Sequence, residues 1–73
     1  MTERREKFVQ LAESRVNRAL NDIRLIGNLS NRANYEFNDE DVAKITLTLK
    51  RAIKEMNARF KVKEDEPEED FKL

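Results

Sequence analysis

The residues with chemistry to offer are mostly carboxylates. Asp39, Glu40 and Asp41 stand in a row, and the run "KEDEPEED" gathers more near the C-terminus. Neighbouring carboxylates are the raw material of acid–base pairs and of hard-cation sites, and each use has a condition. Acid–base work needs a carboxyl in a dry pocket, where burial lifts its pKa towards the working pH. A calcium loop needs alternating ligands around a glycine turn, which neither acidic run supplies. The chain has no His and no Cys. That removes the usual proton shuttle, thiolate chemistry, disulfides, zinc sites of the Cys type and Glu-x-x-His metal pairs. Ser14 and Ser30 have no base to activate them, and a single Gly cannot build a phosphate loop. The expectation is a non-enzyme with no catalytic residue, no cofactor, no metal and no small-molecule substrate.

Basic residues offer a different chemistry. The formal charge is zero overall, yet residues 1–34 carry +3, 35–43 carry −4, 44–63 carry +6 and 64–73 carry −5. Neutrality therefore conceals a basic body with an acidic corner and an acidic tail. At about 100° per residue on a helix, Lys50, Lys54 and Lys61 share one line and Arg51 flanks it, on the side away from the apolar residues. Such a row can track phosphates with salt-dependent affinity. It is equally the ordinary solvated side of a bundle helix, and the acidic tail would compete with nucleic acid for it. The connection between the two helical segments is also too long for a helix-turn-helix.

Two helices must position these groups. Val9, Ala12, Val16, Ala19, Ile23 and Ile26 recur at alternating spacings of three and four, which is one stripe of an α-helix and the seam pattern of a left-handed helix pair. Val42, Ile45, Leu49, Ala52 and Met56 repeat the pattern, widened by Ile53 and followed by Phe60. Helix 1 is expected over about residues 2–27 with Thr2 as its N-cap. Helix 2 is expected over about 39–61, capped by Asn38 with Asp41 at the third helical position. Phe37 and Val42 then occupy the two positions of a hydrophobic staple. Acids at its start and Lys54, Arg59 and Lys61 towards its end suit the helix dipole. One Gly and one Pro in 73 residues argue against a turn-rich β fold.

The fold class is therefore all-α: an antiparallel two-helix hairpin over residues 1–63, with its corner at 28–38. An acidic tail at 64–73 is expected to lack order, since it cannot bury enough apolar area to offset chain ordering. Phe71 and Leu73 in that tail are either simply exposed or a short docking motif. At the corner, Gly27 either takes the left-handed conformation that ends a helix or lies within helix 1, close to another backbone. Asn28, Ser30, Asn31, Asn34 and Asn38 can bond nearby backbone groups, and Tyr35 and Phe37 are placed to cover the open end. The corner is read as structural first and as a surface for a partner second.

A chain of this size rarely gains more than roughly 3–5 kcal/mol from its core. Helix 1 also carries a second apolar row, Leu11, Leu25 and Leu29, at about 160–200° from Val9. One antiparallel neighbour cannot cover both rows. A homodimer completing a four-helix bundle is the favoured remedy, and docking on a larger protein is the other. Candidate protein-binding residues are Leu11, Leu25, Leu29, Arg32 and Tyr35. The alternative nucleic-acid-binding set is Lys50, Arg51, Lys54 and Lys61.

The run "RVNRALNDIRLIGNLSNRANYEFNDEDVAKI", centred on "IRLIGNLSN" and "YEF", resembles a group of short bacterial proteins, some carried on mobile elements. The group has no established activity and so assigns no site residue. The resemblance implies a phage or plasmid setting, in which small proteins inhibit host-defence or transcription complexes by occupying a surface. With no long apolar run and an opening of alternating charges, "MTERREKF", the expected location is cytoplasmic, with no membrane partner.

Overall fold

The computed structural model describes the backbone of residues 2–70 and the side chains of residues 2–61. The chain divides into two units, Met1–Glu36 and Phe37–Leu73. Among the described residues the protein is all-helical, with two α-helices and no strand.

The first unit holds α1 (Thr2–Gly27) and a single 3₁₀ turn (Asn28–Ser30). Helix α1 covers the expected span, because a stripe of apolar residues at helical spacing runs its length without a proline. Thr2 is its first helical residue rather than the cap before it, within the usual latitude of a helix end. Glu3 in the first turn and Arg24 in the last match the helix dipole.

How α1 ends differs from the first of the two expected routes. Gly27 has φ −62° and ψ −27°, ordinary right-handed helical values, and no glycine among the described residues has positive φ. The helix does not stop at a left-handed glycine. It tightens into the 3₁₀ turn, in which bonds reach one residue less far, and stops at Asn31, whose backbone is extended with φ −76° and ψ 101°. Asn31 then builds the next reversal. Its carbonyl accepts from the N–H of Asn34 and of Tyr35, each at 3.0 Å, and its side-chain oxygen accepts from the N–H of Ala33 at 2.9 Å. The asparagine wins because its short amide reaches the backbone two residues on, a competition that longer side chains lose.

The second unit opens on Phe37 and Asn38 and continues as α2 (Asp39–Asp70). Its start is where expected, and a reciprocal cap fixes it. The N–H of Asp41 donates to Asn38 Oδ1 at 2.8 Å, and the N–H of Asn38 donates to Asp41 Oδ2 at 3.0 Å. Asp39, Glu40 and Asp41 form the acidic first turn. Inside the helix, the Thr48 hydroxyl donates back to the Lys44 carbonyl at 2.8 Å, so it needs no outside partner.

Helix α2 runs past its expected end near residue 61, and the stretch 64–70, expected to lack order, falls within its span. Glu is a good helix former, but Pro67 has no N–H to donate and acids at a helix C-terminus oppose the dipole, so no local feature explains the extension. The last turn holds no basic residue, so the dipole argument that placed the end near Lys61 does not set the boundary. Phe71 and Leu73 lie outside the described residues.

Candidate functional site

Burial decides how the side chains of residues 2–61 can be used. None of them is buried. Val9, Ala12, Ile26, Phe37 and Leu49 are half-buried, and every other described residue is exposed. Among the exposed large apolar side chains, exposure runs from 41% at Ile45 to 61% at Phe60. Helical geometry gives residues of the stripes part of their cover, since neighbours three and four residues away shade one another.

The five candidate protein-binding residues all belong to the first unit. Leu11 and Leu25 stand on α1, Leu29 on the 3₁₀ turn, and Arg32 and Tyr35 on the loop that follows. All five are exposed. Leu25 at 53% and Leu29 at 48% are about as open as Val16 on the main stripe, at 55%.

The alternative set stands on α2 in the second unit, where Lys50, Arg51, Lys54 and Lys61 are all exposed. The helical period places three of these lysines on one line, with a methylene stem beneath each charge.

Two apolar residues were missed by a reading built on periodicity. Phe8 is 50% exposed and lies under the Arg5 guanidinium, 5.9 Å from the ring centroid. Leu47, also 50% exposed, stands off the α2 stripe among the basic residues. A search for isolated large apolar residues outside the repeat would have found both. On the polar side of α1, Arg24 donates to Asn21 Oδ1 at 3.3 Å across one turn. Near its start, Glu3, Arg4, Glu6, Lys7 and Gln10 border a shallow depression between successive turns.

Among the described residues no group of three acidic, Cys or His side chains converges as metal ligands would, and no helix is long and apolar enough to cross a membrane. Asp39, Glu40 and Asp41 are exposed at a helix start, with Asp41 engaged in the cap. Compared with protein-family models, with curated proteins and with solved structures, the chain matches none. The described surface carries exposed apolar side chains and fixed charges.

Proposed function

We propose that the chain is a non-enzymatic helical interaction module, a small regulator or inhibitor that works by occupying the surface of a larger protein complex. One observation carries this reading. A sequence with two sustained apolar stripes leaves no described side chain buried, and most of its large apolar residues are at least 41% exposed. Stripes of this regularity belong against other helices, and exposed apolar area of this kind marks protein–protein contact.

Covering the stripes comes in two steps. The first is the hairpin, supported by the sequence register. Aligned antiparallel about the corner, Ile26 meets Val42, Ile23 meets Ile45, Ala19 meets Leu49, Val16 meets Ala52 and Ala12 meets Met56. Large residues then oppose small ones over the second half of the seam, which fills space evenly. The second step is association through the Leu11, Leu25 and Leu29 row, completing a four-helix bundle as a homodimer. Arg32 and Tyr35 stand exposed at the corner, and Tyr and Arg are the residue types that anchor interfaces.

The test is affinity capture of the full chain from its host, with and without nuclease, beside an Arg32→Ala/Tyr35→Ala variant. A defined protein captured despite nuclease and lost with the variant is the expected result. Capture lost with nuclease alone would overturn the reading.

A second reading has its own observation, the four exposed bases of α2. Lys50, Arg51, Lys54 and Lys61 would contact the phosphates of a nucleic acid, with Leu47 beside them. A steep salt dependence of binding distinguishes it from the first reading.

A further inference from the structure

Helix α1 divides round its circumference by charge as well as by hydropathy. Leu11 is 43% exposed, and Arg4, Lys7, Arg15 and Arg18 around it are exposed too. Lys7 and Arg15 each stand four residues from Leu11, and Arg4 and Arg18 each stand seven. At about 100° per residue, all four bases fall within about 40° of the leucine, and no other residue between 4 and 18 does. Phe8 and Ser14 come next, about 60° to either side, and the carboxylates Glu3, Glu6 and Glu13 lie about 80° or more away. One apolar side chain thus stands with two bases before it and two after it, in a strip about 21 Å long.

Resting on the interaction-module reading above, we infer that this strip docks on an acidic protein surface. Leu11 enters an apolar pocket there, and carboxylates of the partner meet the four bases. An apolar centre with a charged rim is the usual anatomy of a protein contact. Charge selects the partner. Arg4 and Lys7 repel each other one turn apart, as do Arg15 and Arg18. Glu3 and Asp22, each four residues along, can offset Lys7 and Arg18 within the chain, whereas Arg4 and Arg15 have no acid three or four residues away. Carboxylates brought from outside relieve both repulsions. A second copy meeting the strip with its own would bring four more bases to the same ground, so it competes poorly with an acidic surface for Leu11. The phosphates of a nucleic acid would satisfy the bases, but they offer Leu11 no pocket, and Asp22, one turn beyond Arg18 on the same side, would meet a like charge.

The test uses the full chain and the protein that it captures from nuclease-treated host extract. Arg4→Glu/Arg15→Glu is expected to weaken binding of that purified protein at least about tenfold in surface plasmon resonance. Leu11→Ala is expected to weaken it about fivefold or more. Glu6→Gln/Glu13→Gln, on the acidic side of α1, is expected to leave affinity within about twofold. Circular dichroism follows helicity throughout. If the double reversal lowers it, Arg4→Gln/Arg15→Gln reads the same contact and is expected to weaken binding about threefold or more. A direct readout comes from a water-soluble carbodiimide, which joins an amine to a carboxylate without a spacer. Lys7 is expected to couple to Asp or Glu of the partner, located by mass spectrometry.

A partner whose affinity ignores the substitutions, or whose carboxylates never couple to Lys7, would overturn this contact and leave the interaction-module reading standing. Capture that vanishes with nuclease, or no captured protein at all, would overturn both.

Discussion

Asn38 and Asp41 hold each other at the start of α2. Each backbone N–H donates to the other residue's side-chain oxygen, at 2.8 and 3.0 Å. The Asn38 N–H, outside the helix's own ladder, finds its acceptor three residues on, and the Asp41 N–H is shared between Asn38 Oδ1 and the Asn38 carbonyl, the latter at 3.1 Å. Asn38→Ala removes one of these bonds and leaves the other intact. It is expected to cost about 1 kcal/mol, read as a lower urea midpoint at unchanged slope. Asn38→Ser keeps an oxygen in place and should recover most of the loss. An Asn38→Ala variant with unaltered stability would mean that α2 is held in place without this cap.

Gly27 makes the opposite prediction. Its backbone is right-handed helical, and a Cβ added there meets nothing within 4 Å. Glycine in such a position keeps the unfolded chain needlessly free, so Gly27→Ala is expected to stabilise by roughly 0.4–1 kcal/mol. Thermal melting and helicity should both rise. If helicity rises while self-association weakens, Gly27 is a point of close backbone approach in the assembly, the second role its sequence position allowed.

These two residues also mark how far the sequence could be read. Asn38, Asp41 and Phe37 announce the start of α2 because capping chemistry is local and depends on residue types three or four apart. The span of α1 is legible for the same reason, its apolar period being unbroken from Val9 to Ile26. Gly27 was ambiguous because glycine tolerates both conformations, and only the following 3₁₀ turn decides between them. The stop expected near residue 61 rests on Pro67 and the surrounding acids, and the span of α2 passes both. Of the candidate site, the rows of Leu11, Leu25 and Leu29 and of Lys50, Lys54 and Lys61 follow from periodicity alone. Phe8 and Leu47 do not, since each stands outside the repeat. What covers the rows is a property of an assembly, and a residue pattern states only that cover is needed.

The stripes themselves give a stability measurement with two separated outcomes. In a helix whose apolar side stays in water, Ile45→Asp should cost only the difference in helix propensity, at most about 0.7 kcal/mol. In a packed seam the same change removes buried methylenes and inserts a charge, and losses of about 2–5 kcal/mol are typical of far milder truncations. The proposed hairpin and dimer require the larger value, together with concentration-dependent melting of the wild-type chain. A small cost and a concentration-independent melt would show that the stripes are not covered by this protein's own copies.

Salt separates the protein-binding reading from the nucleic-acid one. An interface of leucines loses little affinity as ions screen it, because most of its free energy is apolar burial. Phosphate contacts behave differently: each one formed releases a counterion, so log K falls linearly with log salt, with a slope of about −0.9 per contact on duplex DNA. Four contacts from Lys50, Arg51, Lys54 and Lys61 would give a slope near about −3.6, and Lys50→Glu/Lys54→Glu would flatten it by about two. Removing residues 64–73, which carry a net charge of −5, would strengthen such binding by lifting an internal competitor. The interaction-module reading expects fluorescence anisotropy with a labelled duplex to show only weak binding at physiological salt, unchanged by the tail deletion. Tight binding with the steep slope, flattened by the double substitution, would transfer the function from the leucine row of α1 to the basic row of α2.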